Sequence, residues 1–478
     1  MHSDILIIGA GSAGCVVAER LSADERCRVT VVEAGPAVSD PDLRAMISEG
    51  SVLPIGAASP LVQRFETALT DRPRRVAHVV RGAVAGGSGA VNGGYFCRGL
   101  PRDFDGWELP GWAWADVLRH FRDIETDLDF DGPLHGRGGP IPVQRVHEMA
   151  GSTGEFIARA REAGYQWISD LNGARDSKSV VTGVGAVPLN IADGARVGPG
   201  SAFLDAALDR PNLTLIDGTS MWRLRIEAGR VIGAEGHGPS GTVTLSADRI
   251  VLCAGAIRTA QILMLSGVGD EAVLREAGIP VAVGAPVGMH CVDHPEWVMP
   301  TTWATAPGKP VLEAILHTED SVEIRPYTGG FVAMMGDGSI GRPDWPHVGV
   351  ALMQPRSRGR VAVVSADPRV TLRIEHRYDS SLEDVAALRR GSELARELCP
   401  MAEPPPEPLW STSQHLCATA PMGGDSDERA VLDQQCRVRG VDGLWVIDGA
   451  ALPAITSRGP HATIVMLAHR AAEFVAAG

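Results

Sequence analysis

The sequence has no hydrophobic stretch long enough to cross a membrane. A spanning helix needs roughly 18 to 20 apolar residues, and no apolar run in the chain approaches that length. The chain opens on Asp4-Ile5-Leu6-Ile7-Ile8, which is typical of a strand, so the charged and apolar regions of a signal peptide are missing as well. These absences predict a cytoplasmic protein without an integral membrane segment. Any membrane contact would be peripheral, at the inner face of the cell membrane.

Paired cysteines, basic clusters and metal-ligand spacings are also missing. The eight cysteines are scattered without a Cys-x-x-Cys pair, which favours reduced thiols over a disulfide framework or a zinc site. The formal net charge is −14 and no block of basic residues occurs, which excludes a protein that binds a nucleic-acid backbone. His, Asp and Cys residues are nowhere grouped at the spacing of metal ligands, so the sequence predicts no metal.

What the sequence does have is length and a large apolar fraction. The chain has 478 residues, of which 44% are hydrophobic and 21% charged. Because a domain typically has roughly 100 to 200 residues, this length predicts two or three domains with a sizeable buried core.

The first motif is a strand followed by a glycine-rich turn. Ile5 to Ile8 predicts a buried strand, a helix follows the turn, and a second strand from Arg28 to Val32 ends at an acidic residue. This order is typical of a dinucleotide-binding unit, in which glycines let the backbone approach a pyrophosphate and the acid binds a ribose. NAD and FAD both fit this unit. Its predicted binding residues are Gly9, Gly11, Ser12, Ala13, Gly14, Glu33 and Ala34.

A second glycine-rich segment runs from Arg81 to Gly94. Such a run has little packing value, and it is useful where the backbone must lie against a flat or anionic ligand. The alternative interpretation is a flexible surface loop.

From this segment onward the sequence resembles the glucose-methanol-choline (GMC) oxidoreductases. The glycine run continues into Tyr95-Phe96-Cys97-Arg98-Gly99, and the other motifs of the family follow in its order over essentially the whole chain. The resemblance implies FAD, held noncovalently because Val91 stands where some members carry a flavin-linking histidine. The further motifs are Asp103 to Trp107, His135-Gly136 with Gly139-Pro140, Gly255-Ala256, Asp293-His294-Pro295, Ser357 to Val361 and Asp448-Gly449.

The resemblance also implies an α/β fold with two interleaved domains. We expect a Rossmann-like FAD-binding domain from residues 1–140, 181–290 and 412–478. An α+β substrate-binding domain, built on an antiparallel sheet, is expected from residues 141–180 and 291–411.

Two segments of the second domain have informative patterns. Residues 345–376 alternate polar and apolar side chains, which predicts an antiparallel sheet with one covered face. Glu403-Pro404-Pro405-Pro406-Glu407-Pro408 cannot be helical and predicts a stiff crossing back to the flavin domain.

The predicted chemistry lies near the end of the chain. By position in the family motifs, His415 is the candidate base that takes the proton of an alcohol, and His461 is the second active-site residue. Pro460 predicts the start of a final helix, whose positive end would stabilise a reduced flavin. His290 and His294 are interpreted as structural and His469 as a packing residue. The remaining predicted cofactor contacts are Arg81, Gly86, Ser88, Asn92, Gly93, Met221, Asp448, Gly449, Ala462 and Thr463.

The identity of the electron donor stays open at this point. In its sequence from Gly86 to Gly99 and in its compact length, the chain resembles the family members associated with mycofactocin, a peptide-derived redox cofactor. That resemblance implies mycofactocinol as donor and a respiratory-chain component as acceptor. The alternatives are a direct oxidase or dehydrogenase of a small primary alcohol of the choline, ethanol or methanol type, a lyase on the same scaffold, and a flavin-binding module that docks to a redox partner.

Overall fold

A computed structural model describes residues 2–38, 40–179, 181–335, 344–402 and 407–478. Residues 403–406, the first four of the predicted stiff crossing, lie outside the described residues. The α/β architecture predicted from the sequence is confirmed, since the described residues form both parallel and antiparallel sheets with helices packed on them.

The helices and strands are numbered in chain order. The helices are α1 Ser12–Ser22, α2 Pro41–Ser48, α3 Pro101–Asp105, α4 Trp114–Ile124, α5 Gly151–Glu162, α6 Asp205–Ala207, α7 Gly255–Leu265, α8 Glu271–Glu276, α9 Phe331–Met335, α10 Leu382–Leu398 and α11 His461–Ala477. The strands are β1 His2–Ile8, β2 Val29–Val32, β3 Val62–Asp71, β4 Arg74–Gly82, β5 Glu125–Asp127, β6 Ile141–Val143, β7 Gly183–Ala186, β8 Ile191–Ala192, β9 Ala195–Arg196, β10 Leu213–Ile216, β11 Ser220–Glu227, β12 Arg230–Gly238, β13 Gly241–Leu252, β14 Val268–Gly269, β15 Val283–Gly284, β16 Pro295–Pro300, β17 Ala314–His317, β18 Val322–Gly330, β19 Pro346–Leu352, β20 Arg360–Ala362, β21 Arg373–Glu375, β22 Leu409–Thr412 and β23 Leu444–Val446.

The first large sheet contains a parallel core. Strands β10, β2, β1 and β13 run parallel in that order, and β23 joins the far side of β13. Strands β1 and β2 are continuous apolar runs because both faces of this sheet are covered, with α1 and α11 packed together on one side. Parallel strands end at the same edge, so the turn after β1, Glu33 after β2 and Asp448 after β23 all lie at one edge of the sheet.

The second large sheet is antiparallel, in the order β22-β16-β19-β18-β17-β7. One of its faces is apolar and packs under α5 and α10, as Ile324 and Val350 show. The other face carries Glu323 and Arg325 on β18, and these side chains are buried too. The expectation of only one covered face is therefore wrong, because the polar face packs against the segments that hold the candidate active site.

Two segments pair differently from the sequence-based expectation. Residues 345–376 do not form one sheet, because β19 belongs to the second large sheet whereas β20 and β21 form a separate sheet with the β3–β4 hairpin. Strand β7 falls in the range predicted for the flavin domain, yet it pairs with β17 in the second large sheet. On β7, Gly185 also lets the segment at Ile168 approach closely, since an added Cβ would lie 2.7 Å from the carbonyl oxygen of Ile168.

The pairing state of the cysteines and the apolar character of the helices can be compared with the sequence-based expectations. All eight cysteines are unpaired, and seven of them are buried. In the described part of the chain, none of the helices has the length and apolar character that crossing a bilayer requires.

Candidate active site

Three segments that are far apart in sequence meet at the edge of the parallel sheet. The turn after β1, the second glycine-rich segment and the start of α11 pack directly against one another. An ideal Cβ on Gly87 would lie 2.6 Å from Cα of Gly11, and one on Gly89 would lie 2.7 Å from both Ser12 Oγ and His461 Cε1. Glycine is therefore required at these positions for the backbones to approach, and the alternative interpretation of this segment as a flexible surface loop is wrong.

The helix ends at this edge are suited to an anionic group. Helix α1 begins after Gly11 and α11 begins after Pro460, and neither N-terminus is capped by a side chain. Neither first turn contains an acidic residue. The free N–H groups and the positive end of each helix dipole can therefore bind a phosphate or a reduced, anionic flavin. Together with the glycine contacts, these ends fit the FAD that the sequence predicts.

The two acidic residues at this edge are buried and bonded to the protein backbone. Glu33 accepts the N–H groups of Ala10 and Gly35 at 2.8 and 2.9 Å, and burial raises its pKa to about 7. Asp448 is likewise satisfied by protein donors, and burial raises its pKa to about 6. These donors are Gly255 N, Thr259 Oγ1 and Ala450 N. Both carboxylates thus shape the loops at the strand ends. Asp448 Oδ2 accepts two of its hydrogen bonds, whereas the two Glu33 oxygens accept one each from Ala10 and Gly35.

Several of the remaining predicted cofactor residues lie along the same edge. Gly86 N donates to Ala10 O, Ser88 Oγ accepts Gly82 N, and Asn92 Oδ1 accepts Gly94 N. Their positions along the chain place most of the other predicted contacts at this edge: Gly9 follows β1, Ala13 and Gly14 lie in the first turn of α1, Ala34 follows Glu33, Gly93 follows the glycine run, Gly449 follows Asp448, and Ala462 and Thr463 open α11. Met221 lies on β11, which pairs with β12 outside the parallel core, so the end of a parallel strand does not place it there.

Arg81 lies at the end of β4. Its guanidinium donates to Val80 O at 2.9 Å and to Gln414 Oε1 at 3.4 Å. Burial lowers the pKa of Arg81, and nearby Asp293 partly opposes this effect.

His415 follows the last strand of the antiparallel sheet, β22. The residue before it, Gln414, has a left-handed backbone with φ of 64°. The Gln414 side chain holds this conformation by accepting Val80 N at 2.8 Å and donating to His78 O at 3.2 Å. A non-glycine residue with positive φ costs energy, and such strain commonly occurs at functional sites.

Asp293 fixes the backbone on both sides of this turn. Its Oδ1 atom accepts the N–H groups of His415 and His294, both at 2.8 Å. Its Oδ2 atom accepts the hydroxyls of Thr412 at 2.6 Å and Tyr378 at 3.0 Å. One buried carboxylate therefore joins β22 to the start of β16 and positions two histidines side by side.

The hydrogen bonds of His294 determine the tautomer of His415. His294 Nε2 lies 3.0 Å from the carbonyl oxygen of Thr456, which can only accept, so Nε2 carries the proton. Burial lowers the pKa of His294 to about 4, so the ring is neutral and its Nδ1 is an acceptor. His415 Nδ1, 2.8 Å away, must then donate. The Nε2 lone pair of His415 is consequently free to accept a proton.

His461, the second predicted catalytic residue, begins α11. Its Nε2 atom is buried without a hydrogen-bond partner, and its ring lies edge-on to Phe96 at 5.6 Å between centroids. Burial lowers the pKa of His461 to about 4. Burial, together with His294 and the guanidinium groups of Arg325 and Arg81, also holds the pKa of His415 well below its usual range. Both rings are therefore neutral at pH 7.

His415 lies close to the segment that leads into His461. An ideal Cβ on Gly459 would lie 3.1 Å from the ring of Tyr95 and 3.4 Å from Cε1 of His415, two residues before His461. Sequence reasoning missed the contribution of His294, whose ring lies 5.1 Å from that of His415, centroid to centroid. The signal was available in Asp293-His294-Pro295, because two polar residues directly before a buried strand need partners.

The structure does bring together two groups of potential metal ligands that sequence spacing did not reveal. They are His120, Asp123 and His469 in one case and Glu125, Asp127 and His135 in the other. Arginine side chains already contact both groups. Arg119 and Arg470 donate hydrogen bonds to His120 Nε2 in the first group. Arg98 and Arg145 form ion pairs with Glu125 and Asp127 in the second. His469 packs against His120 at 2.9 Å between their Nδ1 atoms, which agrees with its predicted packing role.

Comparison with known proteins identifies the family. The sequence profiles of the GMC oxidoreductases match residues 3–296 and 355–468. The chain belongs to the GMC oxidoreductase family. It is therefore an FAD-dependent oxidoreductase, and the cofactor fits the glycine contacts and free helix ends described above.

Curated relatives and solved structures resemble this GMC oxidoreductase over its whole length. It is 39% identical to an uncharacterized GMC-type oxidoreductase in the thcA 5′ region of Rhodococcus erythropolis, over 98% of this chain and 97% of the relative. It is 31% identical to the oxygen-dependent choline dehydrogenase of Vibrio vulnificus, over 99% and 94%. Among solved structures, pyridoxine 4-oxidase from Mesorbium loti superposes with a TM-score of 0.88 at 27% identity, over 98% of both chains.

Proposed function

We propose that this GMC oxidoreductase oxidises a CH–OH group, with His415 as the base that takes the hydroxyl proton. When bound, FAD supplies the hydride acceptor, the flavin N5. The hydrogen-bond chain from Thr456 through His294 to His415 carries the proposal, because it leaves the His415 Nε2 lone pair free. A positioned base of this type contributes typically about 10²- to 10⁴-fold in rate.

In the proposal, His461 binds the substrate oxygen and orients the donor. Its unpartnered Nε2 atom is buried, and a buried polar atom without a partner is costly unless a ligand satisfies it. The N-terminus of α11 begins at the same residue and stabilises negative charge that develops nearby. The predicted cofactor contacts and the division into FAD-binding and substrate-binding domains belong to the same proposal.

Two donor classes follow from different observations. The sequence from Gly86 to Gly99 and the compact length support mycofactocinol as donor, with electrons passing toward the respiratory chain. The 31% identity to a choline dehydrogenase supports a small primary alcohol instead. The first class requires that the reduced enzyme pass its electrons to another carrier. The enzyme would reach this carrier by peripheral contact at the inner face of the membrane. The second class requires no partner beyond an acceptor.

The test of this function is anaerobic mixing of the flavoprotein with donors while the flavin absorbance is followed. Bleaching by reduced mycofactocin alone supports the carrier role, and bleaching by small alcohols alone supports the second class. His415→Asn is expected to retain the flavin spectrum and to slow bleaching about 10²-fold or more. His147→Asn is the matched control, because the His147 side chain is 72% exposed and distant in sequence from every site residue. Unchanged bleaching in His415→Asn would remove this residue from the role of base.

A further inference from the structure

The side chain of Gln414, directly before the candidate base, binds to the open edge of a neighbouring strand. Among the described strands, β4 pairs with β3 alone, so its other edge has no strand partner. At that edge Gln414 Oε1 accepts Val80 N at 2.8 Å, and Gln414 Nε2 donates to His78 O at 3.2 Å. A further strand of the sheet would bond to the same backbone groups. The side-chain amide therefore takes the place of a peptide group in an adjacent strand.

The contacts with β4 determine the orientation of this amide. Val80 N can only donate and His78 O can only accept, so the amide oxygen lies toward Val80 and the amide nitrogen toward His78. The guanidinium of Arg81 donates to the same oxygen at 3.4 Å. The hydrogen bonds of the Gln414 side chain are thus made with one strand, β4.

The backbone at Gln414 is held by a different part of the protein. Gln414 N donates to Thr412 Oγ1 at 2.9 Å, and His415 N donates to Asp293 Oδ1 at 2.8 Å. Asp293 lies just before β16 of the antiparallel sheet and also accepts the Thr412 hydroxyl at 2.6 Å. Gln414 therefore connects the antiparallel sheet, through its backbone, with β4, through its side chain.

Strand β4 continues directly into the second glycine-rich segment. Its last residue, Gly82, donates its N–H to Ser88 Oγ at 3.1 Å, and the carbonyl group of Gly87 leaves no room for a Cβ at Gly82. Gly87 in turn packs against Gly11 in the turn after β1. The strand that Gln414 binds is therefore packed tightly into the segments that fit the cofactor.

The backbone conformation of residue 414 does not favour glutamine. Its φ of 64° suits glycine, and asparagine is among the residues enriched there. Asparagine is shorter by one methylene group, so its amide would end further from β4. In the described part of the chain, no other hydrogen bond joins residues 412–416 to β4. The reach of the glutamine side chain accounts for its presence in a conformation that costs energy.

We propose that Gln414 is a positioning residue, whose side-chain amide sets the position of His415 relative to the segment that binds the flavin. The inference rests on the proposed function, in that His415 is taken to be the base. Oxidation of a CH–OH group requires that the base and the flavin reach the same donor molecule together. A displacement of about 1 Å in such an arrangement can cost on the order of 100-fold in rate. Gln414 acts through His415, because its own amide is bonded to β4.

The test removes the amide in two ways. Gln414→Gly permits the left-handed backbone and removes the whole side chain, whereas Gln414→Met keeps the side-chain length and removes its hydrogen bonds. Ala228→Gly is the matched control, since Ala228 also has a positive φ, of 49°, and lies in the turn between β11 and β12. Anaerobic bleaching per bound flavin is followed against donor concentration, with reduced mycofactocin, choline and ethanol as donors.

In both Gln414 variants the limiting rate of bleaching should fall about tenfold or more. The donor concentration that gives half of this rate should stay within about twofold, because the amide is not part of the donor contact. A loss of stability alone would not produce this split, since the rate is measured per bound flavin. Ala228→Gly should match the wild type in both quantities. A wild-type limiting rate in either Gln414 variant that binds flavin overturns the inference.

A second measurement tests the position of His415 without a donor. The Nδ1–H of His415 donates to His294 Nδ1 at 2.8 Å and should give a ring N–H signal by NMR in protein with isotope-labelled histidine. This signal should shift or broaden in both Gln414 variants and stay constant in Ala228→Gly. If no donor bleaches the wild-type flavin, the proposed function fails, whereas the signal still decides the positioning. An unchanged signal in both Gln414 variants overturns the inference.

Discussion

Replacing His294 with phenylalanine tests whether this residue sets the tautomer of the catalytic base. Phenylalanine fills the space of the imidazole but cannot accept the Nδ1–H of His415, which the structure places 2.8 Å from His294 Nδ1. A buried donor left without a partner costs about 1 to 3 kcal/mol. His415 would then favour the tautomer with the proton on Nε2, which cannot take a proton from the donor.

The expected effect follows from that energy. Because about 1.4 kcal/mol corresponds to tenfold, His294→Phe should slow flavin bleaching by roughly 5- to 150-fold. His294→Asn is the matched control, since its Oδ1 atom stands near the position of Nδ1 and can still accept from His415. This variant should retain most of the rate, although it loses the bond to Thr456 O.

The assay is anaerobic stopped-flow bleaching across a pH series, with flavin content and melting temperature measured on the same preparations. The charge interaction of His294 is one of the effects that lower the pKa of His415, so both variants should move the acid limb of the rate profile to higher pH. A residue that only supports packing would not move this limb. Equal losses of rate in the Phe and Asn variants, or none in either, would refute the tautomer argument.

Three further predictions concern pH and the glycine contacts. Since the pKa of His415 lies well below its usual range, kcat/KM should stay constant from pH 8 down to pH 6, and an inflection at or above 6.5 would contradict its role. Burial lowers the pKa of His294 and His461 to about 4, so below pH 6.5 the unfolded chain binds protons that the folded chain does not. The free energy of unfolding should therefore fall by about 1.4 kcal/mol per pH unit for each such histidine between pH 6.5 and pH 4, and a falling melting temperature checks this. Gly89→Ala should weaken flavin binding about tenfold or more, because its Cβ would lie 2.7 Å from His461, whereas Gly138→Ala meets no atom within 4 Å and should leave it unchanged in a flavin-release assay.

The dinucleotide-binding unit could be predicted from sequence because its determinants are local. The strand from Ile5 to Ile8, the following glycines and Glu33 lie within about thirty residues, and each requirement is a backbone property that the residue type displays. The two candidate catalytic histidines could also be assigned, although only from family motifs and not from any property of an isolated histidine.

The contact between His294 and His415 could not be predicted in the same way. It joins residues 121 positions apart and depends on the shared carboxylate of Asp293, which sequence periodicity does not display. The buried polar face of the antiparallel sheet was missed for a related reason. Alternation predicts which side chains share a face, but it cannot tell whether solvent or another domain covers that face.

The environment of His135 shows that neighbouring charges can outweigh the effect of burial. Burial disfavours the charged ring of His135, yet the adjacent carboxylates of Asp127, Asp170 and Glu125 outweigh burial and raise its pKa to about 10. Nothing in the sequence around His135-Gly136 distinguishes this ring, which is charged at pH 7, from the neutral rings at the candidate active site.

Buried contacts that join the antiparallel sheet to the segments around the flavin edge have a consequence for engineering. Glu296, Glu323 and Arg325 come from the antiparallel sheet, whereas their partners Tyr95 and Arg458 come from the segments around the flavin edge. A sheet exchanged for that of a relative would bring buried charged side chains without their partners, unless the residues at Tyr95 and Arg458 were exchanged with it. Chimeras that exchange this sheet alone should therefore be poorly soluble or lack flavin, and productive swaps must recombine three distant parts of the gene at once.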